Sequence, residues 1–475
     1  MNLTEFSQEL GSGNFGDARL NRRAQHMAQQ LAQYPSFSIP SACKSRADVE
    51  GAYRFFNNSS ITPERILAPH VEATYQRMAT VDYALLVQDT TEIDLTRPQQ
   101  QVHGAGPMDC ETRRGAFFHP MIAFDEKGVP LGLVGQESWT RPEISRASKA
   151  AKCKSRHQRP IEEKESYRWL RGVQYAEQAA AACSETTCVC VGDSESDIYA
   201  VFAAAATSGQ KNLHFLVRAG QNRNTTEEQD WLEQVRQTEK IGEQTISIRA
   251  RTAKTNTAKS ARSRSREARI AELETRKTTL ELRRPGNCSR EHPECLRVNL
   301  VLCEEPNPPQ DSDPISWLLV TTLPIASESD VQRVISSYCT RWQIEVFFRT
   351  LKSGCKVERR RFETLDRVLN CVTFFSVIAW RVMYICHLGR ECPELPCEVM
   401  LEPSEWKSVY SVLDKPLPPE GCPSLNEVVR AIATLGGFMN RPRDHPGPQT
   451  LWIGLQRTYD LSNAWNTFGP GSKNF

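Results

Sequence analysis

The chain lacks anything that reads as a secretory leader: Met1 to Gly11 is short, polar and acidic, without a basic n-region or an apolar h-region. It has no uninterrupted apolar run suited to a bilayer. The longest candidate, Val368 to Cys386, contains Asn370 and Arg381 and reads as a buried helix. Net charge is small, +2 from 59 Lys and Arg against 57 Asp and Glu, which excludes a uniform polycation. No internal repeat is evident. The 16 cysteines follow no common zinc spacing; only Cys288, His292 and Cys295, with Cys303 as a fourth, approach one, and their intervals do not match. Cys188, Cys190, Cys371 and Cys386 stand in apolar runs, where cysteine behaves as a small hydrophobe. These absences lead to the expectation of a cytoplasmic protein with reduced thiols and no membrane partner.

A length of 475 residues exceeds what one core usually serves, so two to four domains are expected. Basic residues crowd Lys149 to Arg159, Arg249 to Arg269 and Lys356 to Arg361, a pattern that admits a polyanionic partner. Residues 1–65 read as helices, Ala18 to Tyr34 with Arg22 and Arg23, then Arg46 to Asn57 with Arg54 after a cap region at Ser41. Exposed arginines on short helices suit phosphate contact, although an ordinary helical subdomain would look the same.

Strand patterns begin at Tyr83 to Gln88, which ends at Asp89. Phe117 to Phe124 pairs with Val129 to Trp139 across Asp125-Glu126-Lys127-Gly128. A helix is expected over Ile161 to Cys183, then a strand, Thr187 to Val191, ending at Gly192-Asp193, another helix, and the strand His214 to Arg218. Three strands, helix, strand, helix, strand is the order of a ribonuclease-H-like α/β sheet. Residues 219–326 exceed that core and read as a mostly β insertion with a basic loop, so the α/β domain with its insertion is expected to span 66–389. Prolines after Gly389 mark linkers into a C-terminal helical domain, 390–475.

Tyr338, Arg341, Glu345 and Lys352 fall within an arc of about 60° if the stretch is one regular helix. The stripe interrupts a segment rich in Trp342, Ile344, Phe347, Phe348 and Leu351. A carboxylate flanked by cations on such a helix points to a site. Asp89 and Asp193 end apolar strands, and ligands at strand carboxyl ends converge in α/β sheets. Three carboxylates suit Mg²⁺ or Mn²⁺, and two such ions serve in-line displacement at phosphorus. Asp89 could instead cap a turn. In Gly192-Asp193-Ser194-Glu195-Ser196-Asp197, Glu195 or Asp197 could be the ligand, or Asp193 could cap the next helix.

The spacing Y-x2-R-x3-E-x6-K, met by Tyr338, Arg341, Glu345 and Lys352, resembles the signature of the DDE transposases of bacterial insertion sequences, the insertion-sequence-four group and its Tn-five type. Glu50 to Phe55, Asp89-Thr90-Thr91, Asp193 with Glu195, Asp197 and Ile198, and Leu435 to Met439 are similar as well, so the resemblance runs through nearly the whole chain. It implies a cut-and-paste transposase that binds terminal inverted repeats, cuts through a hairpin intermediate and joins 3′-hydroxyls to target DNA. Asp89, Asp193 and Glu345 would hold two divalent ions, Mg²⁺ or Mn²⁺. Tyr338, Arg341 and Lys352 would hold phosphates, and two copies would pair as a homodimer in a bacterial, nucleoid-associated setting. Trp317 occupies the place of a base-stacking tryptophan, where it would either stack a flipped base or pack in the core. The family often has arginine after the second aspartate, whereas this chain has Ser194; a phosphate contact there is either missing or supplied by Arg218 or Arg223. The rivals are a ribonuclease-H-like nuclease or resolvase without strand joining, and a DNA-binding regulator without cleavage.

Overall fold

The computed structural model describes the chain except residues 1–8, 44, 98, 111, 144–158, 160, 224, 228–229, 249–266, 311–313, 414–417 and 471–475. The basic tracts expected over 149–159 and 249–269 fall mostly outside the described residues. Two compact units are present: Met1–Lys152 with Ala182–Thr186 and Trp342–Phe475, and Cys153–Ala181 with Thr187–Arg341.

The first unit opens with helices Ala18–Gln33, Arg46–Phe56 and Pro63–Met78. Asp17, Ser45 and Thr62 cap them by accepting backbone N–H groups of the first turn. The cap of the second is thus Ser45; Ser41 lies in a separate short helix, Ile39–Ala42. Strands β1 (Tyr83–Gln88), β2 (Thr91–Asp94), β3 (Gly106–Pro107), β4 (Arg114–Asp125) and β5 (Pro130–Trp139) follow. The central strand is β4, paired antiparallel with all the others. Its hairpin to β5 turns at Gly128, φ 81°, whose N–H bonds Asp125 O at 3.0 Å.

Helix Leu365–Glu391 is long and apolar enough to cross a membrane, with mean hydropathy 1.6 over its best window, yet 89 % of that window is buried inside the protein. Its polar side chains are used internally: Asn370 Nδ2 donates to Ile61 O at 2.9 Å, and Trp380 Nε1 to Pro130 O at 2.7 Å. Helices Pro403–Leu413, Leu425–Leu435 and Pro448–Phe468 complete the unit around Trp406, Val428, Ile432, Leu451 and Trp452. Ser424 and Glu427 form a reciprocal cap on the middle one.

The second unit contains helix Tyr167–Ala182, preceded by a 3₁₀ turn over Ile161–Glu163 rather than by one helix starting at Ile161. Its sheet runs in the order β6 (Thr187–Gly192), β7 (Leu213–Arg218), β11 (Ser316–Thr321), β10 (Cys295–Glu304), β9 (Arg269–Arg283), β8 (Gly242–Ile248). Only β6 and β7 are parallel, and helix Tyr199–Ala206 crosses between them. The insertion is therefore β-rich, and β11 returns its chain to β7. Helix Glu328–Thr340 closes the unit, capped by Ser327 and Asp330.

Candidate active site

In the first unit, β1 and β2 pair with β4 in one unbroken register, Gln88 opposite Met121 and Thr91 opposite Phe118. Asp89 and Thr90 fall in the gap, opposite Pro120 and His119. Proline has no N–H to give a ladder, so the strand opens there and releases the Asp89 carboxylate from the sheet. That carboxylate accepts Thr90 N–H at 2.7 Å. Thr90 Oγ1 lies 2.8 Å from Nδ1 of buried His119, whose Nε2 lies 3.1 Å from Gln88 Oε1. The residues on both sides of Asp89 are thereby tied to one imidazole. Sequence reasoning missed His119; the signal was the His-Pro pair within an apolar strand.

The stretch expected as one regular helix is three segments. Helix Glu328–Thr340 ends in a tightened turn with Arg341 N bonded to Tyr338 O, helix Gln343–Arg349 follows, and Thr350–Gly354 widens into a π turn closed by Cys355 N to Thr350 O at 2.8 Å. The division between the two units falls at Arg341 and Trp342. The arc of one regular helix therefore does not describe Tyr338, Arg341, Glu345 and Lys352. Trp342, expected among buried neighbours, is 46 % exposed, and Glu345, three residues on, is exposed as well. Lys352 Nζ donates to Glu92 O at 2.8 Å and pairs with Glu358 at 3.3 Å, which ties it to β2 a few residues beyond Asp89.

The second unit gathers Asp193, Arg218, Tyr338 and Arg341. Asp193 follows β6 and caps a 3₁₀ turn, Ser194–Ser196, its Oδ1 accepting Glu195 N–H at 2.8 Å. Gly192 is required just before it: a Cβ there would stand 2.2 Å from Ser196 Oγ. Arg218 ends β7, and its Nη2 donates to Ser194 Oγ at 3.2 Å. Tyr338 is 6 % exposed; burial pushes its phenol up, the charge of Asp193 adds to that, and Arg218 and Arg341 oppose it. Trp317, half-buried, meets the Tyr338 ring edge-on at 5.4 Å.

Of the other acidic candidates of this loop, Asp197 is engaged structurally, whereas Glu195 is exposed and makes a surface ion pair. Asp197 is buried, accepts the N–H groups of Gly220 and Gln221, and pairs with Arg223 at 2.6 Å. That pairing also corrects the expectation that Arg223 could replace the missing arginine, since its guanidinium is engaged structurally. Glu195 pairs with Arg168 at 2.7 Å. Near the N-terminus, Arg22 is exposed, and Arg54 is exposed and makes an i,i+4 pairing to Glu50. Arg23 pairs with Asp48 and packs against Gly51, where a Cβ would meet its guanidinium at 2.3 Å.

Among the described residues, no three or more His, Cys, Asp and Glu side chains are gathered into a group that could hold a metal ion, and Cys288, His292 and Cys295 form no such group. The candidate ligands fit a hard divalent ion by donor chemistry: all three are carboxylates, Glu345 is exposed, and one oxygen of Asp193 has no hydrogen-bond partner among the described residues.

Three family models match in chain order: transposase DNA-binding over residues 5–61, the transposase DDE domain over 172–374 and the transposase Tn5 dimerisation domain over 377–464. The DDE match includes Asp193 and Glu345 and begins after Asp89. Among solved structures, a cryo-EM piggyBac transposase synaptic complex with hairpin DNA is similar at a TM-score of 0.32 and 11 % identity over 90 % of this chain. This chain spans 63 % of that one, and a likeness so distant carries no argument about mechanism. A DDE domain implies dependence on a divalent metal in general. With DNA-binding, DDE and dimerisation domains in this order, the chain belongs to the Tn5-type DDE transposases.

Proposed function

We propose that this protein is a cut-and-paste transposase of the insertion-sequence-four group, acting as a homodimer on the terminal inverted repeats of its element. Residues 1–65 would recognise the repeat, 66–389 do the chemistry and 390–475 pair the protomers. The observation that carries the reading is the grouping of the Asp193 carboxylate with Arg218, Tyr338 and Arg341, an anion beside two cations and a phenol. Guanidinium groups bind phosphate in a bidentate fork, and burial keeps the phenol protonated as an O–H donor.

Asp89, Asp193 and Glu345 would hold two ions, Mg²⁺ or Mn²⁺, which supply an activated oxygen nucleophile and charge neutralisation at the leaving oxygen. Arg218, Arg341 and Lys352 hold phosphates of the transposon end, and Tyr338 donates to a phosphate oxygen. Lys352 must exchange Glu358 for DNA to do so. Water opens one strand, the freed 3′-hydroxyl attacks the opposite strand to give a hairpin, water reopens it, and the 3′-hydroxyl joins target DNA. Trp317 offers an aromatic face to a base extruded at the hairpin, offsetting part of the few kcal/mol that extrusion costs.

The test is incubation of the protein with Mg²⁺ and labelled duplexes carrying candidate ends, with nick, hairpin and joined product resolved separately. All three products are expected. Cleavage without joining would favour a nuclease, and binding without cleavage a regulator. Trp317→Ala is expected to nick normally and form hairpin poorly; equal loss of both steps would assign Trp317 to packing.

A further inference from the structure

The C-terminal helical region holds two free thiols in contact: Cys397 Sγ and Cys422 Sγ lie 3.7 Å apart, 25 residues apart in the chain. Cys397 is fully buried, and Cys422 is exposed. The backbone holds them together independently of the sulfurs. Cys397 N–H donates to Pro423 O at 3.0 Å, and Pro396 bridges antiparallel to Ser424. Gly421, the residue before Cys422, has nothing within 4 Å of where its Cβ would stand, and Cys422 is itself exposed. Closing the sulfurs to a bonding distance of about 2 Å is a small displacement.

We propose that Cys397 and Cys422 form a reversible disulfide, a thiol-oxidation site in the dimerisation region. The oxidant is a small-molecule disulfide of the glutathione class. The thiolate of exposed Cys422 attacks one sulfur of the oxidant, forming a mixed disulfide and releasing one thiolate. Cys397 loses its proton to water and attacks Cys422 Sγ; the protein disulfide forms and the second small thiolate leaves. Two protein thiols are oxidised by two electrons, and one oxidant disulfide is reduced to two thiols. Burial pushes the Cys397 thiol up, so the exposed sulfur reacts first and the buried one resolves.

The disulfide encloses helix Pro403–Leu413, whose Trp406 and Val409 share a core with Leu451, Trp452 and Leu455 of helix Pro448–Phe468. Ser462 Oγ also donates to Ser404 Oγ at 2.8 Å. Oxidation closes the chain on either side of the first of these helices into a loop and stabilises the folded region by restricting the unfolded chain.

The experiment treats the full-length protein with glutathione disulfide, blocks remaining thiols and maps peptides by mass spectrometry without reduction. A Cys397–Cys422 cross-linked peptide is expected, lost on adding a dithiol reductant, together with an upward shift of the melting temperature that Cys397→Ser lacks. In Cys397→Ser the mixed disulfide is expected to persist on Cys422. Persistence of that mixed disulfide in the wild type, or pairing of Cys422 with exposed Cys392, would overturn the proposal. Absence of any reaction at Cys422 would overturn it too.

Discussion

Arg218 donates from Nη2 to the hydroxyl of Ser194 at 3.2 Å. Related transposases often have an arginine directly after the second aspartate. Here the side chain at that position is short, and a guanidinium from the end of the adjacent parallel strand reaches it. The register that pairs Gly192 with Val217 makes this possible, because the next residues along β6 and β7 are Asp193 and Arg218.

If Arg218 supplies the phosphate contact, Arg218→Ala should slow end cleavage by about 10- to 100-fold, the worth of one charged hydrogen bond in a site. Ser194→Ala should stay near wild type. Adding Ser194→Arg to Arg218→Ala should recover part of the loss, measured as single-turnover nicking. Wild-type rates in Arg218→Ala would remove Arg218 from the site.

Arg223 behaves oppositely. It is nearly buried against Asp197, side-chain exposure 9 % and 1 %, so truncation strands a buried carboxylate. Arg223→Ala is expected to cost about 3–5 kcal/mol of stability in chemical denaturation. The salt dependence of DNA binding should not change; a shallower salt slope would return Arg223 to the DNA-contact set.

Much of this was legible in the sequence, for identifiable reasons. Apolar runs with turn residues at their ends located β1, β4, β5, β6 and β7, and the prolines after Gly389 marked the entry into the C-terminal helices. The break at Arg341 and Trp342 was not legible, because every residue there tolerates helical dihedrals and only hydrogen-bond geometry distinguishes the tight and wide turns. Trp342 read as core because apolar composition does not say which side of a helix faces out. The roles of Asp197 and Arg223 were also hidden, since a buried ion pair across 26 residues leaves no local pattern.

His119 is expected to position Asp89 through Thr90 and Gln88. His119→Ala should raise the Mg²⁺ concentration for half-maximal cleavage by about tenfold, the usual size of an outer-shell effect. A packing role alone would lower the melting temperature and leave the Mg²⁺ dependence unchanged.

The buried cluster of Glu9, His70 and Arg77 predicts acid sensitivity. His70 Nε2 accepts Leu133 N–H at 2.9 Å, so the ring is neutral with its proton on Nδ1, which faces Glu9. Burial alone would raise the Glu9 carboxyl, but the His70 hydrogen bond and Arg77 hold it at about 2 against an ordinary 4.5. This stabilisation is present above 4.5 and is lost as pH falls toward 2. Burial likewise holds His70 below its ordinary 6.5, so the unfolded chain takes up that proton first and stability also declines below 6.5. Melting temperature should drop progressively on acidification from about neutral pH, and Glu9→Gln should flatten the lower part of that profile. An unchanged profile in Glu9→Gln would exclude the cluster as its cause.

Asp89, Asp193 and Glu345 are proposed to carry phosphoryl transfer together. The most direct measurement compares Mg²⁺-dependent cleavage of a labelled end duplex by the wild type with Asp89→Asn, Asp193→Asn and Glu345→Gln, each checked for retained DNA binding. Binding is expected to stay near wild type, with cleavage reduced by about a thousandfold or more in each variant. Cleavage persisting undiminished in any of the three would contradict that assignment.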